Sequence, residues 1–189
     1  MEKKRIFAAI DISDEARQAV ASYIEALRHD FPDVPVKWEK PEKLHITVKF
    51  VGSIEVDGLQ QFTERVSNAA SSISPFAVTI SGTGGFLKRS SRSNVLWLGT
   101  QSRSLNGTPE IIEQLAMRID EEEKNKRFHP HLTIARLRDA RIASESVQRH
   151  LDLSFGPVTF EATDLTIYQS TLLPTSSKYR VVSRHEFRR

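Results

Sequence analysis

Apolar positions recur along this chain with two periods, and the switches between them outline the elements. Residues 5–12, RIFAAIDI, are an apolar run that predicts an opening strand. Ser13 and Asp14 then stand as an N-cap region for a helix in DEARQAVASYIEALRHD, where Ala16, Val20, Ile24 and Leu27 recur at helical spacing. FPDVP breaks that helix, and VKWEKPEKL leads into a strand, LHITVKFVG, that ends at Gly52. A second helix is predicted over 57–72 with Leu59, Phe62, Val66 and Ala69 on one face. PFAVTISGTGGFL reads as a strand whose glycines signal a bulge or turn, and VLWLGT as a short strand after the polar KRSSRSN. Thr108 and Pro109 open a third helix running to about residue 122, with Ile111, Ile112, Leu115 and Ile119 at 3–4 spacing. After the charged EEEKNKRF come the strand HPHLTIARL and a helix over 143–151. Two final strands, PVTFEATDLTIYQS and KYRVVSRHEF, flank TLLPTSS.

Strands mixed with helices, without sustained βαβ alternation, predict an α+β fold with mainly antiparallel sheets. The two halves also share an order. Each has a His-x-Thr strand, a helix, a strand led by Pro75 or Pro157, a polar loop and a last strand, with His131 lying 86 residues after His45. An internal repeat is the expectation, giving one domain over 1–189 made of two lobes, with one motif in each at 45–48 and 131–134.

Composition narrows the chemistry. The 189 residues suit a single large domain with a substantial core. Cysteine is absent, which removes disulfides, thiolate metal sites and cysteine nucleophiles. A net charge of +3 and a pI near 9.3 tolerate a polyanionic partner without requiring one. Residues 1–12 turn apolar too briefly for a signal peptide, and no run approaches the roughly 18 apolar residues of a membrane span. A cytoplasmic location without membrane association is the default expectation.

The chemistry-bearing feature is a repeated motif. HITVKF (45–50) and HLTIAR (131–136) each write His-x-Thr into an apolar run. On a strand, residues i and i+2 share a face, so His45 lies beside Thr47 and His131 beside Thr133, opposite Leu44, Ile46 and Val48 or Leu132 and Ile134. Each pair offers a group that titrates near neutral pH and a hydroxyl able to bond an oxygen. Facing one another across a cleft, two imidazoles would divide general-acid and general-base roles, each worth roughly 10²–10⁴ in rate. Strict alternation puts Lys49 on the face of His45, where its ammonium would meet phosphate or RNA. It puts Arg136 on the face opposite His131, so that only a strand end or a bulge would bring it to the cleft.

HITVKFVG and FHPHLTIARL resemble the paired motifs of the 2H phosphoesterase superfamily, and most of all its RNA 2′,3′-cyclic phosphodiesterases, also called 2′–5′ RNA ligases. RIFAAIDI, NVLWLGT and LTIYQSTLLPTSSKYRVV extend the resemblance over nearly the whole chain. It implies a bilobal, pseudo-twofold α+β fold with a central cleft and hydrolysis of ribose 2′,3′-cyclic phosphates to 2′-phosphates, with neither metal nor cofactor. It further implies His45 as proton donor, His131 as proton acceptor, and Thr47 and Thr133 as phosphate ligands. The expected partners are RNA ends such as tRNA-like fragments, or cyclic nucleotides, bound by a monomer. Side-chain chemistry alone leaves donor and acceptor interchangeable.

Two other readings are available. His45, His129 and His131 would make a three-histidine zinc site, although that explains neither threonine. A non-catalytic RNA-end-binding module would use KRSSRS (88–93) and KNKRF (124–128) with Phe86, Trp97 and Phe128. Trp97, inside VLWLG, is expected in the core. His29, His150 and His185 have no partner motif and are expected to be structural or exposed. SGTGG lacks the lysine and following helix of a phosphate-binding loop.

Overall fold

The computed structural model of the protein describes residues 3–32, 36–87, 94–120, 128–137, 144–173 and 176–188. β1 (Lys4–Asp11) feeds α1 (Asp14–Asp30) through Ser13, whose hydroxyl accepts the Ala16 amide at 3.2 Å, and α1 buries the four apolar residues its spacing marks. β2 (Val36–Trp38) and a single 3-10 turn (Pro41–Lys43) precede β3 (His45–Ile54) and α2 (Val56–Ser71), which buries Phe62, Val66 and Ala69. β4 (Phe76–Phe86) and β5 (Asn94–Ser104) pair with a register shift between Ile80 and Thr83, where Gly82 sits at φ +72°. This is the irregularity that the glycine-rich stretch announces.

α3 (Ile111–Ile119) starts later than Thr108-Pro109 predicts. Pro109 bridges back to Arg103, Glu110 takes a left-handed φ of 59°, and the Glu110 amide donates to the Ser102 carbonyl. The Ser102 hydroxyl then accepts the Ile112 amide at 2.9 Å, so β5 caps this helix across the sheet. α3 ends at Ile119, and residues 121–122 of the expected helix lie outside the described residues. β6 (His131–Leu137), α4 (Ser144–Asp152), β7 (Val158–Ala162), β8 (Asp164–Leu172) and β9 (Ser177–Glu186) complete the chain.

The described strands form one nine-stranded sheet with the path β7-β4-β5-β6-β3-β1-β8-β9, β2 being paired to β6, and every described pairing is antiparallel. Two four-strand sets therefore meet at β3 and β6, joined through a single register pair, Ile46 with Leu132. PVTFEATDLTIYQS, expected as one strand, breaks at Thr163 into β7 and β8, which run at opposite sides of the sheet. No glycine or proline marks that break, because it is imposed by different partners: β7 pairs with β4, β8 with β1 and β9.

Counting outward from the seam, β1–α1–β3–α2–β4 and β5–α3–β6–α4–β8 hold matching strand places. In each, the second strand lies at the seam and the third crosses to the opposite set. Beneath the seam, Leu44, Ile46, Val48, Leu132, Ile134 and Leu137 enter one core shared with the four described helices. No helix among the described residues is long and apolar enough to cross a membrane.

Candidate active site

β3 and β6 lie side by side at the seam, so their outward faces present His45, Thr47, His131 and Thr133 to one cleft of about 490 Å³. Arg5 and Phe7 of β1, Lys37 of β2, Glu39, Lys43, Phe50 and Arg136 line it as well, with Ser170 and Leu172 of β8 and Ser177 and Tyr179 of β9.

The two strands share an irregularity that simple alternation does not contain. In β3, Thr47 pairs with Ala9 and Lys49 with Ala8, so Val48 is an extra residue between successive pairs. In β6, Thr133 pairs with Trp97 and Ala135 with Leu96, which makes Ile134 the extra residue. These are β-bulges at the same place in both motifs, and each reverses the facing of the residues beyond it. The residue after each bulge turns to the core side and the next returns to the cleft. Arg136 accordingly lines the cleft, and so does Phe50 at the matching position. Lys49 does not: its ammonium lies 2.6 Å from Asp120 Oδ2, on the face away from the cleft, where Phe62 and Arg65 of α2 are neighbours.

Both histidines are held by the same backbone device. The Nδ1–H of His45 donates to the Lys43 carbonyl at 2.7 Å, and that of His131 donates to the His129 carbonyl at 2.8 Å. A nitrogen against a carbonyl must carry the proton, so in each neutral ring Nε2 is the free lone pair. Nε2 of His45 meets the Thr47 hydroxyl at 3.1 Å. Burial pushes both histidines below their ordinary value. The smaller influences differ. For His45, the Nδ1 bond and the carboxylates of Glu39 and Asp11 oppose that depression while the Arg136 charge reinforces it; around His131, the Nδ1 bond opposes it while the charges of His129 and Arg136 reinforce it.

Aromatic rings fix the His45 side. His45 stacks on Phe7 with centroids 5.0 Å apart, and Phe7 stacks in turn on Tyr168 at 5.3 Å. Tyr179 meets His45 edge-on at 5.6 Å. The Tyr168 hydroxyl donates to Asp11 (2.7 and 2.9 Å), which Arg184 also contacts at 3.1 Å. Burial foremost, and then the Glu39 carboxylate, push the Tyr179 phenol up, keeping it a neutral donor. Lys43 donates to the Ser177 carbonyl, fastening the turn before His45 to β9.

On the other side, Trp97 departs from its expected core position. It is half-buried on the face of Thr133, with its ring laid over Gly84, where an added Cβ would come within 2.2 Å of the indole. Its ring contacts those of His129 (5.0 Å) and His131 (6.3 Å), and Phe86 meets His131 edge-on at 5.0 Å. Phe128 packs against the core, while residues 88–93 and 124–127 lie outside the described residues. Among the described residues no group of three His, Asp or Glu side chains is placed to hold a metal, so His45, His129 and His131 do not assemble the zinc alternative. His150 is fully buried, taking the Tyr23 hydroxyl on Nδ1 at 2.9 Å and donating from Nε2 to the carbonyls of Gly84 and Trp97 at 3.1 and 3.2 Å.

Sequence reasoning misses Arg5, Phe7, Lys37, Glu39, Lys43 and Phe50 as cleft residues. A signal exists only for Phe50, the sixth residue of its motif as Arg136 is of the other. Glu39 arrives because its amide donates to the Ile134 carbonyl at 2.8 Å, at the β6 bulge, which sets its carboxylate 3.2 Å from Arg136 Nε.

Comparison with known proteins shows the family and the fold. The profile described as LigT like Phosphoesterase matches residues 10–97 and 106–179. The RNA 2′,3′-cyclic phosphodiesterase of Archaeoglobus fulgidus is 30% identical over 182 residues, covering 93% of this chain and 96% of that protein. The protein of the same name from Methanocaldococcus jannaschii is 29% identical over 183 residues, covering 94% and 98%. The crystal structure of Escherichia coli LigT complexed with 3′-AMP superposes with a TM-score of 0.70 at 21% identity over the full length of both chains, and shares the fold. Kluyveromyces marxianus Usb1 superposes at 0.52 with 13% identity, covering 95% of this chain and 98% of that one. With a profile spanning most of the sequence, including both His-x-Thr strands, the chain belongs to the LigT-like phosphoesterases of the 2H superfamily.

Proposed function

We propose that this phosphoesterase opens ribose 2′,3′-cyclic phosphates at RNA or nucleotide ends, leaving 2′-phosphates, by proton transfer between His45 and His131. One observation carries the reading: two imidazoles, each anchored through Nδ1 to the carbonyl two residues earlier, share one cleft across the β3–β6 seam. In the proposed step a water attacks phosphorus and gives its proton to Nε2 of one histidine. The P–O3′ bond breaks, and the other histidine protonates the departing oxygen.

The charges around each ring favour His45 as donor. Arg136 disfavours the imidazolium of both rings, so the difference lies in Glu39 and Asp11, which stabilise the His45 imidazolium, and His129, which favours a neutral, accepting His131. Thr47, Thr133 and Arg136 would hold the non-bridging oxygens. Arg136 is half exposed at the cleft, so a phosphate arriving there can compete with Glu39 for its guanidinium. Phe50, half exposed at the rim with Arg5 4.9 Å from its ring centroid, offers a stacking surface for a base, and Lys37 and Lys43 offer charge to a longer polyanion. By microscopic reversibility the same site would join a cyclic-phosphate end to a 5′-hydroxyl through a 2′–5′ linkage, with hydrolysis dominant in water. The matched strand places support one domain of two equivalent lobes.

The test is hydrolysis of 2′,3′-cyclic nucleotides and cyclic-ended RNA by purified protein in the presence of a chelator. Turnover to 2′-phosphate, lost on replacing either histidine by alanine in a folded protein, is the expected result. Loss of activity to the chelator with recovery on adding zinc would overturn the scheme, as would near-normal turnover by either alanine variant.

A further inference from the structure

Lys49 occupies the fifth position of HITVKF, and the bulge at Val48 turns it away from the phosphate that its sequence position suggests. It meets a carboxylate from across the seam. Asp120 terminates α3, a helix whose first turn is tied to β5 by the Ile112 amide on the Ser102 hydroxyl and the Glu110 amide on the Ser102 carbonyl. β5 pairs with β6, the strand of His131. The far end of α3 packs on β3, the strand of His45, and there Lys49 meets Asp120 at 2.6 Å.

The helix therefore spans from one histidine's strand set to the other's, behind the sheet. That span matters because the sheet is weakly tied at this line: β3 and β6 share one register pair, where β1 and β3 share eight. The ion pair suits its place. A carboxylate at a helix C-terminus opposes the helix dipole, and an ammonium beside it offsets both charges. With 11% of Lys49 and 25% of Asp120 side-chain surface exposed, water screens the pair less than it would a surface bridge. The matching position of the other motif is Ala135, buried in the core, so the device exists on one side only.

We propose that Lys49 and Asp120 are positioning residues that close α3 onto β3 and thereby set the separation of His45 and His131. This rests on the two-histidine mechanism, since a fixed separation matters only when both rings act on one phosphorus. Misplacement of a reacting group by about 1 Å can cost 10²-fold, which sets the size of the expected effect.

The experiment is steady-state kinetics on adenosine 2′,3′-cyclic phosphate with Lys49→Met, Asp120→Asn, Lys49→Arg, His131→Ala and the Lys49→Met/His131→Ala double variant. We expect Lys49→Met and Asp120→Asn to lower kcat by about 10- to 100-fold with KM little changed, and Lys49→Arg to retain most turnover. In the His131→Ala background Lys49→Met should cost nothing further, because no pair remains to be spaced. A general loss of structure would instead lower both backgrounds alike. Raised KM at unchanged kcat, an equal loss in both backgrounds, or unchanged kcat in Asp120→Asn each overturns the proposal. Asp120→Asn, nearly isosteric, keeps the test open if Lys49→Met does not fold. Failure of the mechanism itself has a separate signature, since His131→Ala would then keep its rate.

Discussion

The two motif strands share a backbone but not an environment. β3 and β6 each carry histidine, threonine and a bulge at the fourth residue, and each anchors Nδ1 to the carbonyl two residues before it. Around His45 stand the Phe7, Tyr168 and Tyr179 rings and the carboxylates of Glu39 and Asp11. Around His131 stand Trp97, Phe86, a second histidine and Arg136. The sixth residue, returned to the cleft by the bulge, is aromatic on one side and cationic on the other. A repeated scaffold thus presents two imidazoles in unequal surroundings, and the proposed division into donor and acceptor rests on that inequality.

Removing either ring has the largest expected effect. His45→Ala and His131→Ala should each lower kcat by roughly 10²–10⁴, and the double variant should fall short of the product of the two. Multiplicative losses, measured in the same assay, would show that the rings act independently. Next in size is the sixth residue. Arg136→Leu should reduce kcat/KM by about 10- to 100-fold whatever the base, since a charge-assisted phosphate contact is worth about 1.5–3 kcal/mol. Phe50→Ala should raise KM by about 5- to 100-fold, in line with roughly 1–3 kcal/mol of base stacking, and spare a ribose cyclic phosphate without a base. Equal effects of Phe50→Ala on both substrates would dismiss the asymmetry at the rim.

Smaller shifts sharpen the division of labour. With both histidines depressed by burial, kcat/KM should peak below about pH 6.5, the ordinary value for the residue, and decline toward alkaline pH as the acid loses its proton. Glu39→Gln removes a carboxylate that favours the His45 imidazolium, so the alkaline limb should move to lower pH; a limb that stays in place would unseat His45 as donor. The smallest effect concerns stability. His45, His131, His150 and His185 are all depressed by burial in the folded protein. The unfolded chain then binds more protons at acid pH, so their contribution is complete above about pH 6.5 and is lost as pH falls toward the folded-state values. Thermal unfolding followed from pH 7.5 to 5 should show a falling Tm, and a flat profile would contradict it.

Local patterns make much of this legible. Period-two alternation places His45 with Thr47 and His131 with Thr133, and both pairs do face the cleft. Helical spacing marks the buried faces of α1 and α2, and Ser13 caps α1 as its position predicts. The features that depend on a partner strand are the ones that alternation misplaces. Bulges interrupt the alternation before Lys49 and Arg136, so each faces the side opposite to the expected one. Trp97 has apolar neighbours that suggest core, although its ring lies over Gly84 beside the histidines. His150, expected to be structural or exposed, is structural, clamping the last turn of α4 to Tyr23 and two strand carbonyls, though no local pattern names those partners.

The chemical groups and their local partnership are thus written in the sequence alone: two imidazoles, two hydroxyls and the strands that hold each pair on one face. Those come from backbone geometry within three residues, which needs no neighbour. Tertiary pairing settles the rest. It makes β3 and β6 meet at a seam, and its bulges bring Phe50 and Arg136 in while turning Lys49 out. It also sets the carboxylates of Glu39 and Asp11 near His45 and a second imidazole, His129, near His131. These depend on which strands pair and in what register, a choice made by the burial of a core drawn from the whole chain.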